Sequence, residues 1–547
     1  MRIVGQAARK ALCVVVALVG LATKGETAAA APRATSRFVV VQPSRLVDTR
    51  DLGPQVSRGS IYRVQVAGRF GVGSTATAAV INLTATEALG AGFLTAWSGD
   101  VVRPLASNIG IELAGQTVSN LVTVPLGHDG TFAIYASVGT HLVVDVFGGY
   151  EPVPESASGR LSTVSPTRVF DSRESTGRRT TGSTTRVSLS RAVPPTASAV
   201  VLNLTIDDAT GPGFWTVTPA GATRSSTSNL NVGVAHQTLA NQVIVPVTDS
   251  AIDVFSQSGG HMIVDVVGWF TGHDDPVSTD GLFVAVNPAR VLDTREVGML
   301  NPTEDQVKPR AGWTTEVLGE LRRVVPATAS AVALNMTAAH AEEPGFVTAW
   351  GAGTPRPLAS NLNAFRRGQV VANHVITPLG TRGIAFFTQQ QTHLIADVAG
   401  YFLGKPMPSV LPAPNLILGA MTTRLSVPVL GLDIELAAGL DESTLDEGPM
   451  RWLLSSEAGQ LGTVRVLGHR TSHGGPFLGL ANLRPGDRII ATNMLGRHVY
   501  IVTGSVVVDP DDLKRLEDPT TENLHLIACH PIGSVAQRLV VMASLVE

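Results

Sequence analysis

The sequence predicts an all-β protein: three tandem antiparallel β-sandwich repeats followed by a β-barrel. Three observations carry this. Short β-branched runs bounded by Gly or Pro recur along the chain, and no long stretch holds a helical period. An ordered set of motifs returns three times at nearly constant spacing. Beyond a proline-rich break, residues 415–547 carry a further set of short strands.

Bulk composition sets the limits. A chain of 547 residues is too long for one core. Apolar residues make up 44% and charged residues 16%, which marks globular rather than disordered chain. A formal charge of −3 and a pI near 6.5 exclude the basic footprint of a nucleic-acid binder. Fifty-five Gly and thirty-three Pro, with abundant Val, Thr and Ala, fit short strands and tight turns.

Residues 1–31 read as a signal peptide. Arg2, Arg9 and Lys10 precede the apolar run from Ala11 to Ala22, and Ala28 to Ala31 supply the small residues of a cleavage site. The run is too short to span a bilayer as a helix. Cleavage after Ala30 or Ala31 predicts an exported, extracellular or cell-surface protein. An uncleaved segment, which would leave the protein membrane-associated, is the alternative. Cys13 leaves with the signal, so Cys529 remains without an internal disulfide partner and without a Cys pair for metal. A buried structural thiol is the commoner fate of a single Cys, but the following His530-Pro531 is turn-like and argues against burial.

The repeats occupy residues 37–151, 159–273 and 280–404. Each opens on a Pro-x-Arg-x-x-Asp motif: Arg45/Asp48, Arg168/Asp171 and Arg290/Asp293. The prolines at 43, 166 and 288 are 123 and then 122 residues apart, the size of a whole domain rather than of a solenoid unit. Each copy then carries Asn-x-Thr (Asn82, Asn203, Asn335), Gly-Phe, Ser-Asn, and a closing His–x3–Asp strand (His141/Asp145, His261/Asp265, His393/Asp397). An Arg–Asp ion pair at the start of a strand explains the first motif better than a ligand site kept in triplicate. The Asn-x-Thr triplets lie inside predicted strands, which disfavours glycosylation. The His and Asp, four residues apart, share one face of a strand.

Residues 405–414 hold four prolines and read as an extended spacer. In residues 415–547 the candidate strands are 424–429, 463–467, 488–492, 498–503, 523–528 and 537–546, with a short helix within 441–454, a set that suits a closed barrel. His469 follows one strand end, Cys529 ends another, and Arg538 opens the next. If the last two strands pair in antiparallel fashion, Cys529 and Arg538 face each other and the three groups meet at one rim.

These residue types suit acyl transfer. A free thiol, with a pKa near 8.5, needs a basic or cationic neighbour to attack as thiolate at neutral pH. His469 can stabilise the thiolate and later protonate a leaving amine. Arg538 can donate to an oxyanion. A zinc site from His469, His473 and a carboxylate is conceivable, but Gly474-Gly475-Pro476 marks a loop instead of the helix that would hold such spacing. His498 and His525 lie in strands and read as structural.

The last region resembles a sortase, the cysteine transpeptidase of bacterial surfaces. The resemblance rests on Ser426 to Asp433, Gly468-His469-Arg470-Thr471, Leu483-Arg484-Pro485-Gly486-Asp487 and the block from Leu524 to Arg538. The Cys-His-Pro triplet is most similar to the class E branch. The first three domains resemble repeat modules of large exported bacterial surface proteins. The resemblance implies a sortase-like barrel with Cys529 as nucleophile, His469 as general acid and Arg538 as oxyanion or substrate-positioning group, and neither metal nor other cofactor. It implies as partners exported proteins with a C-terminal Leu-x-x-Thr-Gly-like sorting signal and a peptidoglycan amine acceptor. Ala528 departs from the Thr usual before the family's Cys.

Two other function classes follow from the same residues. One is a cysteine endopeptidase of the same fold; the other is a non-enzymatic surface protein whose repeats bind cell-surface material. The intact trio disfavours the second. No Thr-Gly follows Leu411-Pro412-Ala413-Pro414 and no apolar tail precedes Glu547, so an enzyme is expected here more than a client.

Overall fold

The computed structural model describes residues 34–295, 308–318, 321, 323–410, 416–418, 423–439, 442–452, 455–459, 462–493, 496–516 and 521–546. The expected signal peptide, Cys13 and residues 411–414 of the expected spacer lie outside them. Strand accounts for 53% and helix for 4%, so the all-β class holds. Three antiparallel sandwiches precede a closed barrel of eight strands.

Each sandwich pairs a long inner sheet with a shorter outer one. In the first, the inner strands Ser36–Asp48, His141–Pro152, Ala78–Thr86 and Val118–Pro125 form half of an eight-stranded sheet that continues into the third repeat, and the outer sheet orders Ile61–Gln65, Thr131–Ala136, Gly92–Trp97 and Ile109–Ile111. All nine residues of Ala78–Thr86 are buried. Odd and even positions both need cover, because successive side chains point to opposite faces of a strand.

The second face is covered by the other repeats. Phe38, Val80 and Tyr150 of the first, Val201 and Phe270 of the second, and Phe283 and Phe402 of the third share one buried cluster. Phe38 lies 4.4 Å from Phe270, and Tyr150 stacks at 4.0 Å on Phe283. The sandwiches are therefore tandem in sequence but form a ring in space.

The recurring motifs build and close that ring. Arg45 donates to Asp145 at 2.7 Å and to Asp48 at 2.9 Å, and its copies Arg168 and Arg290 repeat the pattern on Asp265/Asp171 and Asp397/Asp293. The structural ion pair read from the sequence is present in every copy. The histidines of the His–x3–Asp strands meet the hydroxyls of Thr49, Ser172 and Thr294. Each motif Asn reaches into a neighbouring repeat: Asn82 donates to the Ser228 carbonyl, Asn203 to Ser360 and Asn335 to Ser107, each at 2.7 Å. Burial of these three side chains excludes a glycan on them.

The spacer is extended, but through residue 410 it is held on the third repeat. Met407 donates its N–H to Leu379 and accepts from Thr381, and Val410 donates to Gly353. Pro406 and Pro408 have no N–H, so Met407 between them makes the ladder contacts. Farther on, Leu416–Leu418 adds a parallel strand to the outer sheet of that repeat beside Thr314–Val317.

The barrel closes in the order Thr423–Val427, Leu432–Gly439, Met450–Trp452, Gly462–Leu467, Glu522–His530, Gln537–Leu545, Gly496–Val508 and Arg488–Asn493. Two of its strands, Leu432–Gly439 and Met450–Trp452, were not among those expected. The expected short helix is Glu442–Glu447. Alternate residues of the central strands, Val464, Val466, Leu524, Leu526, Ala528, Leu539 and Val541, fill the interior.

Candidate active site

Two adjacent strands carry Cys529 and Arg538, and the strand on the far side of the first leads into His469. Gly462–Leu467 pairs in parallel with Glu522–His530, Leu467 opposite Ile527, and the Gly468 N–H donates to the Ile527 carbonyl. His469 stands two residues beyond Leu467 and Cys529 two beyond Ile527, so both follow the same end of that parallel pair. On the other flank, Cys529 is the register partner of Arg538 across an antiparallel pair. The antiparallel pairing on which the facing of Cys529 and Arg538 depended is present.

Alternation decides which face the site uses. Leu524, Leu526 and Ala528 belong to the barrel core, as do Leu539 and Val541. Cys529 and Arg538, one residue out of phase, point out of the wall. Cys529 and Arg538 thus share the outer face at their strand ends. Ala528, where the family usually has Thr, is 2% exposed and packs inside the barrel; it acts on packing behind Cys529.

His469 is held from two sides. Its Nε2 is 2.9 Å from Asp446 Oδ1 on the short helix, and its Nδ1 is 2.9 Å from Ser472 Oγ. Its side chain is 14% exposed. The loop returns to the histidine because Phe477 donates its N–H to the His469 carbonyl and packs over Gly468. A Cβ on Gly468 would lie 2.5 Å from the Phe477 ring, so glycine is required there.

Arg538 is half-buried and donates to the carbonyls of Val535 at 2.7 Å and Gln537 at 3.0 Å through Nη1. Its Nε and Nη2 make no hydrogen bond to described residues, leaving donors for an incoming oxygen. Cys529 is a free, partly exposed thiol.

Two residues were missed by sequence reasoning. Arg470, 6% exposed, reaches from the histidine loop to the Cys529 carbonyl at 3.4 Å and His530 Nδ1 at 3.0 Å, tying the two loops together. Its place directly after His469 was the available signal. Asp446 had none, since only the fold brings that helix over the site. His473, whose pairing with His469 was disfavoured because a loop rather than a helix carries them, stands with its ring 4.6 Å from that of His469 and its Nδ1 3.5 Å from Asp446. His525 and His498 are neutral structural groups: burial lowers the first to about 4, with Arg465 adding to the shift, and burial also lowers the second.

The barrel thus carries a free thiol and a guanidinium in register on paired strands, with an imidazole just past the end of the neighbouring strand. A family model of the sortase domain matches residues 425–546, and this C-terminal part of the chain is a sortase domain. Over 124 residues the chain is 29% identical to sortase A from Bacillus anthracis, covering 22% of this chain and 59% of that protein. The chain thus spans about three-fifths of that curated relative's length. Among solved structures, sortase A from Corynebacterium diphtheriae aligns at 27% identity over 23% of this chain and 61% of that one, with a TM-score of 0.22. A variant of sortase E from Streptomyces avermitilis aligns at 25% identity over 24% and 90%, with a TM-score of 0.21.

Proposed function

We propose that the protein is an exported, cell-surface sortase-type cysteine transpeptidase. The observation that supports the reading is the register at Cys529: Arg538 lies opposite it on one side, and on the other the parallel Leu467–Ile527 pair ends two residues before both His469 and Cys529.

In the first half-reaction the Cys529 sulfur attacks the Thr carbonyl carbon of a Leu-x-x-Thr-Gly-like signal. Arg538 donates to the oxyanion that forms. As the intermediate collapses, the Thr–Gly C–N bond breaks, His469 gives a proton to the leaving Gly amine, and a thioester remains on Cys529. In the second half-reaction a peptidoglycan amine attacks that thioester. The new amide forms, the C–S bond breaks, and the proton lost by the amine returns to His469. The repeats present the enzyme at the surface and are candidates for binding cell-surface material.

Mass spectrometry with a panel of Leu-x-x-Thr-Gly peptides and an amine tests the proposal. The expected products are the amine-capped Leu-x-x-Thr fragment and an acyl adduct on Cys529. A free acid as sole product at high amine concentration would identify an endopeptidase instead. Cleavage without an adduct on Cys529 would exclude both.

A further inference from the structure

Among the described residues, one cluster brings together three side chains able to ligate a metal: Asp446, His469 and His473, whose ligand atoms all lie within 4.8 Å of one another. Asp446 Oδ1 is the common point, 2.9 Å from His469 Nε2 and 3.5 Å from His473 Nδ1. Zinc bonds to imidazole nitrogen and carboxylate oxygen run about 2.0–2.2 Å. A tetrahedron of that size has edges of about 3.3 Å; the two contacts to Asp446 lie near that value, and the two imidazoles, within 4.8 Å of each other, would close on a bound ion.

The supports of the cluster favour a metal as well. His473 adopts a left-handed backbone, φ 49°, and this turns its ring back beside that of His469. With Nε2 on a metal, His469 would keep its Nδ1 proton and donate it to Ser472 Oγ, the kind of outer contact that orients a ligating imidazole. Asp446 and His473 are 43% and 46% exposed, which leaves an open side for ion entry and for water as fourth ligand. Two imidazoles and one carboxylate suit zinc, whereas calcium and magnesium take oxygen ligands.

We propose that Asp446, His469 and His473 form a zinc site that switches the enzyme off. A zinc ion there occupies His469 Nε2, fixes the ring on Asp446 and takes the histidine out of proton transfer. Only the inhibitory consequence rests on the transpeptidase reading; the binding of zinc does not.

The test uses the full chain and two measurements. Competition against a chromophoric zinc chelator reads binding without any activity. The expected result is one zinc per chain, affinity lowered about tenfold or more in both His473→Ala and Asp446→Asn, and binding retained in Cys529→Ala. Circular dichroism checks that each variant is folded. Unchanged affinity in both ligand variants, loss of binding in Cys529→Ala, or no saturable binding in the micromolar range would overturn the site. The second measurement is peptide turnover against buffered zinc. Turnover should fall as the site fills and return with EDTA, and Asp446→Asn should need about tenfold more zinc for equal inhibition. A filled site with undiminished turnover would overturn the switch. A chain that binds zinc as described yet never cleaves peptide would leave the metal site standing and refute the transpeptidase instead.

Discussion

The side-chain amide of Asn335 donates to the carbonyl of Ser107, 2.7 Å away and 228 residues earlier in the chain. This bond joins the last repeat to the first, and the equivalent bonds of Asn82 and Asn203 join the remaining pairs. Asn335→Ala leaves that carbonyl without its donor in a part-buried place, which costs about 1–3 kcal/mol. The expected outcome is a melting temperature lower by a few degrees, with similar losses for Asn82→Ala and Asn203→Ala. Calorimetry checks it; three unequal effects, one near zero, would argue against a ring held evenly at three joints.

A single repeat should not be a stable monomer. Cut out as residues 37–151, the first repeat would expose Phe38, Val80, Phe147 and Tyr150, all now buried against its neighbours. Each such side chain is worth about 1.5–3 kcal/mol of burial. Sedimentation and thermal melts should find an unfolded chain or an assembly of copies that restores the cover. A monomer with a cooperative melt would contradict the shared core.

For the barrel, Cys529→Ala should abolish both cleavage and adduct formation, since no other described cysteine exists. His469→Ala and Arg538→Ala should each lower turnover about 10²–10⁴-fold. With EDTA present, His473→Ala should cost far less than either. The reverse ranking, measured by steady-state kinetics, would shift the acid role to His473.

The ring should lose stability in acid through His374. This side chain is fully buried where the repeats meet, 2.9 Å from Thr123 of the first and 2.8 Å from Gln242 of the second. Burial lowers it from 6.5 to about 3. Between those values the unfolded chain takes up a proton that the folded one refuses, so stability present above pH 6.5 is lost as pH falls toward 3. Its share approaches about 1.4 kcal/mol per pH unit within that window. Denaturant melts of wild type and His374→Gln across about pH 4–7 should show a shallower dependence in the variant. Equal slopes would mean that His374 takes up its proton in the folded ring too.

The placement of His469, Cys529 and Arg538 at strand ends was legible in the sequence. Residues 463–467, 523–528 and 537–546 alternate in a way that fits a barrel wall, and the strands observed are Gly462–Leu467, Glu522–His530 and Gln537–Leu545. Leu432–Gly439 and Met450–Trp452 were missed because their runs carry charge and small residues, as in Leu-Asp-Ile-Glu-Leu, and gain β structure from barrel neighbours.

By itself the sequence determined the all-β class, the triplicated sandwich and the Arg–Asp pair in each copy, and it left the Cys529–Arg538 pairing conditional on the last two strands being antiparallel neighbours. These follow from local alternation and from short separations along the chain, to which sequence periodicity responds directly. Tertiary structure decided the rest. Ala79-Val80-Ile81-Asn82-Leu83 is apolar on both faces, a sign that both are covered, but only the fold shows that other repeats cover one of them. Asp446 reached His469, and Asn335 reached Ser107, through packing between segments far apart in the chain. Which distant pairs meet depends on how whole sheets bury their apolar faces, and no local pattern of residues encodes that choice.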